Sequence, residues 1–148
     1  MNYSNVLPLS EVKNYLRVDE DFTDDDTAIA RMTKAALQFI EQRTNHLFFQ
    51  REKTYLRGEK YINIFDYPVS YTGDLTRLDY AGKTVFDADA VTVQVGYETV
   101  EDIPASLLES ALQMVKVFYY ESEKQVNTTL IPESVHQILN AYRRFTVI

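Results

Sequence analysis

The feature that most constrains the fold of this chain is a change of hydrophobic periodicity along its 148 residues. Apolar residues recur at helical spacing before residue 46 and after residue 98, and short alternations of β-branched and aromatic residues fill the segment between them. The sequence therefore predicts an α+β fold, a small bundle of about four helices with an inserted antiparallel β-sheet or hairpin region over residues 46–98. The length suits a single domain that covers residues 1–148.

Four helices are predicted from apolar stripes and from residues that favour helix ends. They cover residues 10–17, 24–44, 104–123 and 132–143, each range being approximate. Ser10 and Thr23 are suited to cap the first two helices, because a hydroxyl oxygen can accept a hydrogen bond from an unpaired N–H group. Pro104 and Pro132 are suited to open the other two, since proline at the first helical position gives up only an N–H that has no partner there.

Five strands are predicted in the middle segment. Their ranges are Leu47 to Leu56, Tyr61 to Phe65, Leu75 to Tyr80, Lys83 to Phe86 and Ala90 to Glu98. Ala81 and Gly82 fit a tight hairpin turn between two of these strands, because glycine accepts a positive φ at little steric cost. We therefore expect a small, mainly antiparallel sheet.

Composition narrows the classes of protein to which the chain can belong. Its 22 acidic and 15 basic residues give a net charge of −7, which disfavours a DNA-binding domain, since such domains neutralise phosphates with Lys and Arg. The absence of cysteine excludes disulfides and a thiol nucleophile. No apolar run approaches the ~18 residues of a membrane span, and the first residues do not resemble a signal peptide. We therefore expect a protein made and used without export, with no membrane partner.

The residues offer little material for catalysis. Only His46 and His136 are available as imidazole groups, and no nucleophile motif or phosphate-binding glycine loop is present. We expect structural or solvated roles for both histidines. The sequence therefore predicts neither a catalytic site nor a bound metal or cofactor.

Six acidic residues lie within a run of eight and form the clearest charged feature of the sequence. They are Asp19, Glu20, Asp21, Asp24, Asp25 and Asp26. Half of them form the first turn of the helix predicted over residues 24–44, where the helix dipole favours negative charge, so one interpretation is a solvated cap. The cluster could instead form an acidic functional surface. It could also bind a divalent cation through its carboxylates, although it lacks the loop glycine and terminal Glu of an EF-hand.

Three consecutive aromatic residues in the third predicted helix point in different directions. Phe118, Tyr119 and Tyr120 are separated by about 100° each around the helix axis, so all three do not fit into the core of one monomer. Tyrosine is favoured at protein interfaces. Tyr119 and Tyr120 are therefore predicted to contact a neighbouring subunit, with simple exposure to solvent as the alternative.

Three stretches taken in order resemble one known family. The first stretch is Leu9 to Asp19, followed by the acidic residues and a helix that ends at Asn45. The second stretch is Tyr67-Pro68-Val69. The third stretch begins at Val95-Gly96-Tyr97, continues through Asp102-Ile103-Pro104 and Tyr119-Tyr120-Glu121, and ends with Ile131–Arg144. Together they resemble the head-tail connector (adaptor) proteins of long-tailed double-stranded DNA bacteriophages. Two departures are Asn45 in place of the usual Gly and the lack of a Trp. Asn also adopts the left-handed conformation, so the first departure is mild.

The resemblance implies a structural virion protein without catalysis, made in the bacterial host cytoplasm and placed in the neck between head and tail. It implies a homo-oligomeric ring, dodecameric in the family, between the portal and a stopper or tail-completion protein. The ring continues the DNA channel, and double-stranded DNA passes without specific binding. The C-terminal region commonly reaches the portal in the family, and the corresponding residues here are Tyr142, Arg143, Arg144, Phe145, Val147 and Ile148. The alternative for this segment is a frayed tail.

Two functions of other classes stay open. One is a small metal-assisted hydrolase that uses the carboxylates of Asp24 to Asp26 and Glu41. The other is an acidic inhibitor that imitates DNA, which requires the acids to share one continuous face. In a connector ring, acidic residues, whether Asp19 to Asp26 or others, are expected to line the channel or surface and to repel phosphate at short range.

Overall fold

The computed structural model describes residues 1–121 and 131–144, and its architecture is mixed α and β, which confirms the predicted class. The helices are α1 (Tyr3–Val6), α2 (Leu9–Leu16), α3 (Asp26–Thr44), α4 (Ala105–Glu121) and α5 (Glu133–Tyr142), with a 3₁₀ turn over Val100–Asp102. The strands are β1 (Arg51–Leu56), β2 (Ile62–Ile64), β3 (Val69–Ser70), β4 (Leu78–Tyr80), β5 (Lys83–Phe86) and β6 (Ala90–Val95). Residues 122 and 123, the predicted end of the third helix, lie outside the described residues.

The helix caps predicted at Ser10 and Thr23 are wrong. Ser10 lies inside α2, because the additional helix α1 leads directly into α2 and Pro8 takes the N-cap position. Thr23 forms a turn before α3, in which its carbonyl accepts the Asp26 N–H at 3.2 Å, and Asp25 is the N-cap. Backbone groups therefore satisfy the helix ends that the hydroxyls were expected to cap.

Pro104 and Pro132 open the last two helices, but each stands one residue earlier than predicted. Both precede the first helical residue, and their carbonyls accept hydrogen bonds of 3.0 Å from Leu107 N–H and Val135 N–H. Each proline thus supplies an acceptor to the first helical turn and gives up no hydrogen bond, since it has no N–H.

The helical bundle is built around the packing of α3 against α4, with α1, α2 and α5 surrounding this pair. Its fully buried side chains include Val12, Ile29, Leu37, Ile40, Leu107, Met114, Val115, Phe118 and Leu139. The apolar stripes of α3 and α4 therefore face each other, as amphipathic helices in a bundle do.

Two three-stranded antiparallel sheets form the β region, with strand orders β1-β6-β3 and β2-β5-β4. They share a second, smaller core that includes Ile62, Ile64, Val69, Phe86, Val91, Val93 and Val95. The turn between β4 and β5 is the one predicted, with φ of 52° at Ala81 and 75° at Gly82. The strand predicted over Lys83–Phe86 is confirmed at both ends.

The other strands are shorter than predicted, and one was missed. β1 begins only at Arg51, because the backbone of Leu47 pairs with Tyr67 (2.9 Å) and Tyr97 (3.0 Å) at the junction of bundle and sheets. β6 ends at Val95, because Gly96 adopts a φ of 108°. The predicted strands over residues 61–65 and 75–80 shrink to β2 and β4. β3 was missed because two residues show no alternation.

Candidate functional site

The acidic cluster lies in the loop between α2 and α3, here called the acidic loop (residues 19–26), and a buried lysine holds it. Lys13 is only 3% exposed. Its Nζ donates hydrogen bonds to the carbonyls of Glu20 (3.1 Å) and Phe22 (2.6 Å) and lies 2.8 Å from Asp26 Oδ1. A buried ammonium group needs such partners, because removal from water disfavours an unpaired charge. Lys13 therefore fixes the shape of the loop.

The six acids of the loop have different environments. Asp25 accepts a hydrogen bond of 2.6 Å from the Tyr119 hydroxyl, Asp26 pairs with Lys13, and Asp19 accepts the N–H of Asp21 at 3.0 Å. The carboxylates of Asp19, Glu20, Asp21 and Asp24 form no ion pair with the described residues, and these four residues are exposed. The cap interpretation therefore fits the positions of Asp25, the N-cap residue, and Asp26, in the first turn of α3, although the Asp25 side chain makes no capping bond.

The aromatic residues at the end of α4 contact the acidic loop and the end of α2. Phe118 is buried in the bundle, the Tyr119 hydroxyl donates to Asp25, and the Tyr120 hydroxyl donates to the Leu16 carbonyl at 2.5 Å. The hydrogen bond to Asp25 raises the pKa of Tyr119 to about 12. The rings of Tyr119 and Tyr120 contact each other edge to face, with centres 5.0 Å apart, so the three rings do not point in three separate directions. Only Phe118 is fully buried, and Tyr120 is 55% exposed. The role of Tyr119 and Tyr120 at a subunit contact stays a prediction.

At the opposite end of α3, a buried carboxylate joins the bundle to the β region. Glu41 Oε1 accepts the Tyr3 hydroxyl, and Oε2 accepts the Phe48 N–H (3.0 Å) and an Arg51 guanidinium N–H (2.7 Å). Glu41 is fifteen residues along α3 from Asp26, a distance of about 22 Å. The hydrolase site that combined Glu41 with Asp24 to Asp26 is therefore wrong, because its carboxylates lie at opposite ends of one helix.

His46 lies in an aromatic cluster at the same junction. Its Nδ1 is 2.7 Å from the Tyr97 hydroxyl, and its ring centre is 4.9 Å from that of Tyr67 and 5.6 Å from that of Tyr142. Burial, with the positive charge of Arg144 nearby, lowers the pKa of His46 to about 4. The neutral, hydrogen-bonded ring confirms the structural role expected for His46. His136 is half-buried on α5.

The segment predicted to bind the portal begins against this aromatic cluster. The Tyr142 hydroxyl accepts a hydrogen bond of 2.8 Å from Ser106. Arg144 donates its backbone N–H to the Thr44 carbonyl (3.2 Å) and its Nε to the Phe65 carbonyl (3.1 Å), and its guanidinium lies 4.6 Å from the Tyr67 ring centre. Arg143 is exposed. The remaining predicted residues, Phe145, Val147 and Ile148, lie outside the described residues.

The outer face of the β2-β5-β4 sheet, here called the distal face, leaves large apolar side chains uncovered. Leu78 is 57% exposed and Tyr80 is 56% exposed. They border a shallow cavity of about 490 Å³ whose lining also contains Tyr61, Asn63, Thr76, Lys83, Val85 and Asp87. An uncovered group of this kind on a folded protein is typical of an interaction surface.

The charges around the distal face are unevenly paired. Asp79 pairs with Arg77 at 2.9 Å, and Asp87 pairs with Arg57 at 2.9 Å. The Nζ atom of Lys83 instead lies 5.2 Å from the Tyr80 ring centre, and Lys83 forms no ion pair with the described residues. Lys60 takes the same kind of position, 5.5 Å from the ring centre of Tyr61. The cavity is therefore lined by Lys83, and its wall residue Tyr61 is flanked by Lys60; neither lysine has a carboxylate partner among residues 1–121 and 131–144.

Sequence reasoning missed Lys13, the structural role of Glu41 and the distal face. A signal existed for the first two, because each is a charged residue within an apolar helical stripe, Lys13 beside Val12 and Leu16, and Glu41 beside Ile40. The distal face had no such signal. Leu78 and Tyr80 alternate with Asp79 as in any strand with one buried face, and periodicity does not tell which face is covered.

Two further kinds of site are absent from the part of the chain that the structure describes. It contains no group of three or more His, Cys, Asp or Glu side chains placed to hold a metal ion. It also contains no helix with the length and apolar content needed to cross a bilayer. The cation interpretation of the acidic loop thus finds no support in the geometry.

Solved structures with the same fold come from gene transfer agent particles. The neck of an empty particle, computed with C6 symmetry, superposes with a TM-score of 0.73 at 17% identity and covers 97% of this chain and 92% of that chain. The virion of the native particle gives a TM-score of 0.67, and the native neck computed with C12 symmetry gives 0.59, both at 17% identity. The virion comparison covers 97% and 92% of the two chains, and the native neck comparison covers 97% and 91%. Likeness at this identity shows a shared fold.

A family match agrees with this fold. No curated protein sequence matches the chain. The phage gp6-like head-tail connector family, however, matches over residues 7–143, a range that begins just before α2, includes the whole β region and ends after α5. The match confirms the resemblance first indicated by the opening, middle and closing motifs of the sequence, and the chain therefore belongs to the phage gp6-like head-tail connector family.

Proposed function

We propose that this protein forms a closed ring in the virion neck, between the portal and the stopper or tail-completion protein, and continues the DNA channel. The observation that carries the proposal is the family match over residues 7–143, which includes the bundle and the β region. The family is one of structural connectors. The fold shared with necks computed with C6 and C12 symmetry supports an assembly of identical copies around one axis.

A ring of identical copies sets a geometric requirement. Each subunit must offer two different faces that join head to tail and close by rotation. The uncovered aromatic or apolar groups of the described residues include Tyr120 beside the acidic loop and Leu78 and Tyr80 on the distal face. Tyr119 and Tyr120 are accordingly proposed as part of a subunit contact.

The portal contact is proposed for the C-terminal segment, Tyr142, Arg143, Arg144, Phe145, Val147 and Ile148. Arg143 and Arg144 carry the only charges after Glu133 in the sequence. Arg144 is held against the junction of bundle and sheets by its bonds to Thr44 and Phe65. Arg144 therefore holds the end of the described chain at a defined position on the body, which suits a contact with another protein.

Passage of DNA is proposed to depend on the acidity of the ring. Each copy carries a net charge of −7, and fixed negative charges repel the phosphate backbone within about a Debye length of ~8 Å at physiological salt. The expected result is a channel through which DNA slides without binding.

The proposal is tested by mixing the purified chain with the portal of the same virus and imaging the product by electron microscopy. An added ring on the portal is the expected result. A variant that ends at Arg144 is expected to keep its circular dichroism spectrum and to lose most of its portal attachment. Undiminished attachment of that variant would contradict a portal role for Phe145, Val147 and Ile148. Portal rings without added density at every concentration would contradict the connector function.

A further inference from the structure

We infer that the acidic loop of one copy docks on the distal face of the next copy, with Phe22 in the cavity between Leu78 and Tyr80. This contact rests on the proposed ring and names the two faces that build it. It joins two surfaces that the monomer leaves uncovered and that carry complementary charges.

The acidic loop exposes the Phe22 side chain at a fixed position. The side chain is 43% exposed, although phenylalanine is among the residues most often buried. Its carbonyl accepts the 2.6 Å bond from buried Lys13, so the backbone beneath the ring is fixed before any partner arrives. A loop held in its bound shape loses less conformational entropy on docking, which strengthens the contact.

The distal face provides an apolar site that can cover the exposed Phe22 ring. Leu78, Tyr80 and Tyr61 provide apolar and aromatic walls around a cavity of about 490 Å³, large enough for a phenyl ring. Burial of the exposed part of the Phe22 side chain removes apolar surface from water and so favours the contact. Phe22 on one copy and Leu78 with Tyr80 on the next thus become the apolar centre of the contact.

Charge complementarity determines which surface of one copy pairs with which surface of the next. The loop carries four exposed acids without ion pairs among the described residues, Asp19, Glu20, Asp21 and Asp24. At the distal face the acids Asp79 and Asp87 are already paired with arginines, whereas Lys60 and Lys83 lack a carboxylate partner in the described part of the chain. Loop against loop would oppose like charges. Loop against distal face is therefore the favoured pairing.

The two surfaces lie too far apart to meet within one molecule. The acidic loop precedes α3, whose 19 residues extend about 28 Å. The distal face lies beyond the other end, where the β4–β5 turn at Gly82 approaches the Cα of Arg144 and Arg144 is bonded to Thr44. Only a second copy can supply the acidic loop, and a contact between two different faces is the kind that closes a ring.

The absence of cysteine allows a direct cross-linking test. One preparation carries Phe22→Cys and a second carries Leu78→Cys, and the assembled mixture is oxidised. A disulfide-linked heterodimer is expected from the mixture, and little from either preparation alone. Leu56→Cys replaces Leu78→Cys in the matched control, because Leu56 is 73% exposed on β1 but does not line the cavity. The control pair is expected not to cross-link.

A charge-reversal cycle tests the same contact without cysteine. Lys83→Glu and Asp21→Lys are each expected to raise the concentration needed for assembly about tenfold, because each places like charges opposite one another. The double variant carries both changes in every copy and is expected to recover most of the loss. Leu78→Ser is expected to weaken assembly and Leu56→Ser to leave it unchanged. Circular dichroism checks that each variant is folded.

The outcomes separate this contact from the ring itself. Wild-type rings on the portal with no Phe22–Leu78 cross-link, or rings of Leu78→Ser that assemble like wild type, would overturn the contact and leave the connector function standing. A cross-link in a chain that never closes a ring would sustain the contact and contradict the function. Cross-linking of Leu78→Cys to the portal instead of to Phe22→Cys would show a different occupant and overturn the inference. The absence of both oligomer and cross-link at every concentration, with or without portal, would contradict both.

Discussion

The helical bundle and the distal face differ in how far they bury their apolar side chains. The bundle covers Phe48, Leu107 and Phe118 completely, whereas the distal face leaves Leu78 and Tyr80 more than half exposed. One region therefore supplies the stability of the monomer, and the other offers a surface that a partner can cover. An apolar residue in this protein thus has one of two roles, and the extent of its burial shows which of the two it has.

The largest change in the free energy of unfolding is expected when a buried apolar side chain is removed, and a much smaller one when an exposed apolar side chain is removed. Phe118→Ala is expected to lower the free energy of unfolding by about 4 kcal/mol, because it removes a fully buried ring and leaves a cavity. Leu78→Ser, which removes an exposed side chain, is expected to change it by less than about 0.5 kcal/mol. Urea denaturation measures both. Similar losses for the two variants would break the comparison.

The next effect concerns the junction between bundle and sheets. Glu41→Ala is expected to destabilise the fold by about 3 kcal/mol, because it leaves Arg51, the Phe48 N–H and the Tyr3 hydroxyl without their acceptor in a buried site. Gln42→Ala, on the exposed side of the same helix, is the control and is expected to change stability by less than about 0.5 kcal/mol. Equal effects in urea denaturation would show that the carboxylate does not tie the two regions together.

The same junction is expected to make stability depend on pH through His46. Its pKa is about 4 in the folded protein against 6.5 in the unfolded chain, so the unfolded state binds more protons between these values. Stability should therefore fall by about 2 kcal/mol as the pH drops from 7 to 4, over and above the change in a His46→Gln variant. Urea denaturation across this range compares the two chains. Parallel pH profiles would contradict a neutral, buried His46.

The smallest expected effect lies at the acidic loop. Lys13→Met is expected to cost about 1 kcal/mol of stability and to speed amide exchange in residues 19–26, because the carbonyls of Glu20 and Phe22 lose their donor. Lys34→Met is the control, since Lys34 is exposed on α3 and forms no ion pair within the described residues. Hydrogen exchange followed by mass spectrometry measures the loop directly. Unchanged exchange in Lys13→Met would mean that Phe22 is presented without this support.

The elements that were predictable from sequence are those with strong local signals. The stripes of α3 and α4 place residues such as Ile29 and Leu107 on one face every three or four positions, and Ala81-Gly82 forms the turn that its residues favour. Helix α1 and strand β3 span four and two residues, which is too short for any period to show. Cap positions were wrong by one or two residues, because backbone carbonyls rather than side chains complete the first turns.

The candidate surfaces depended on contacts that sequence periodicity does not carry. Glu41 meets Tyr3 across 38 positions, and Asn45 bonds to Arg144 across 99. The acidic loop was visible as a run of charges, but its support by Lys13 was not. Tyr120 is exposed, whereas Tyr119 is half-buried against the bundle core. Their hydroxyl partners, Asp25 and Leu16, come from another helix and its loop.

The most direct test of the connector account is a cryo-electron microscopy reconstruction of the chain assembled on its portal. The account predicts a closed ring in which each distal face is covered by the acidic loop of the neighbouring copy, so that Phe22 and Leu78 of adjacent subunits are in van der Waals contact. A ring in which the distal face stays open to solvent would contradict the assigned contact. Portals that carry isolated copies, or none, would contradict the connector account itself.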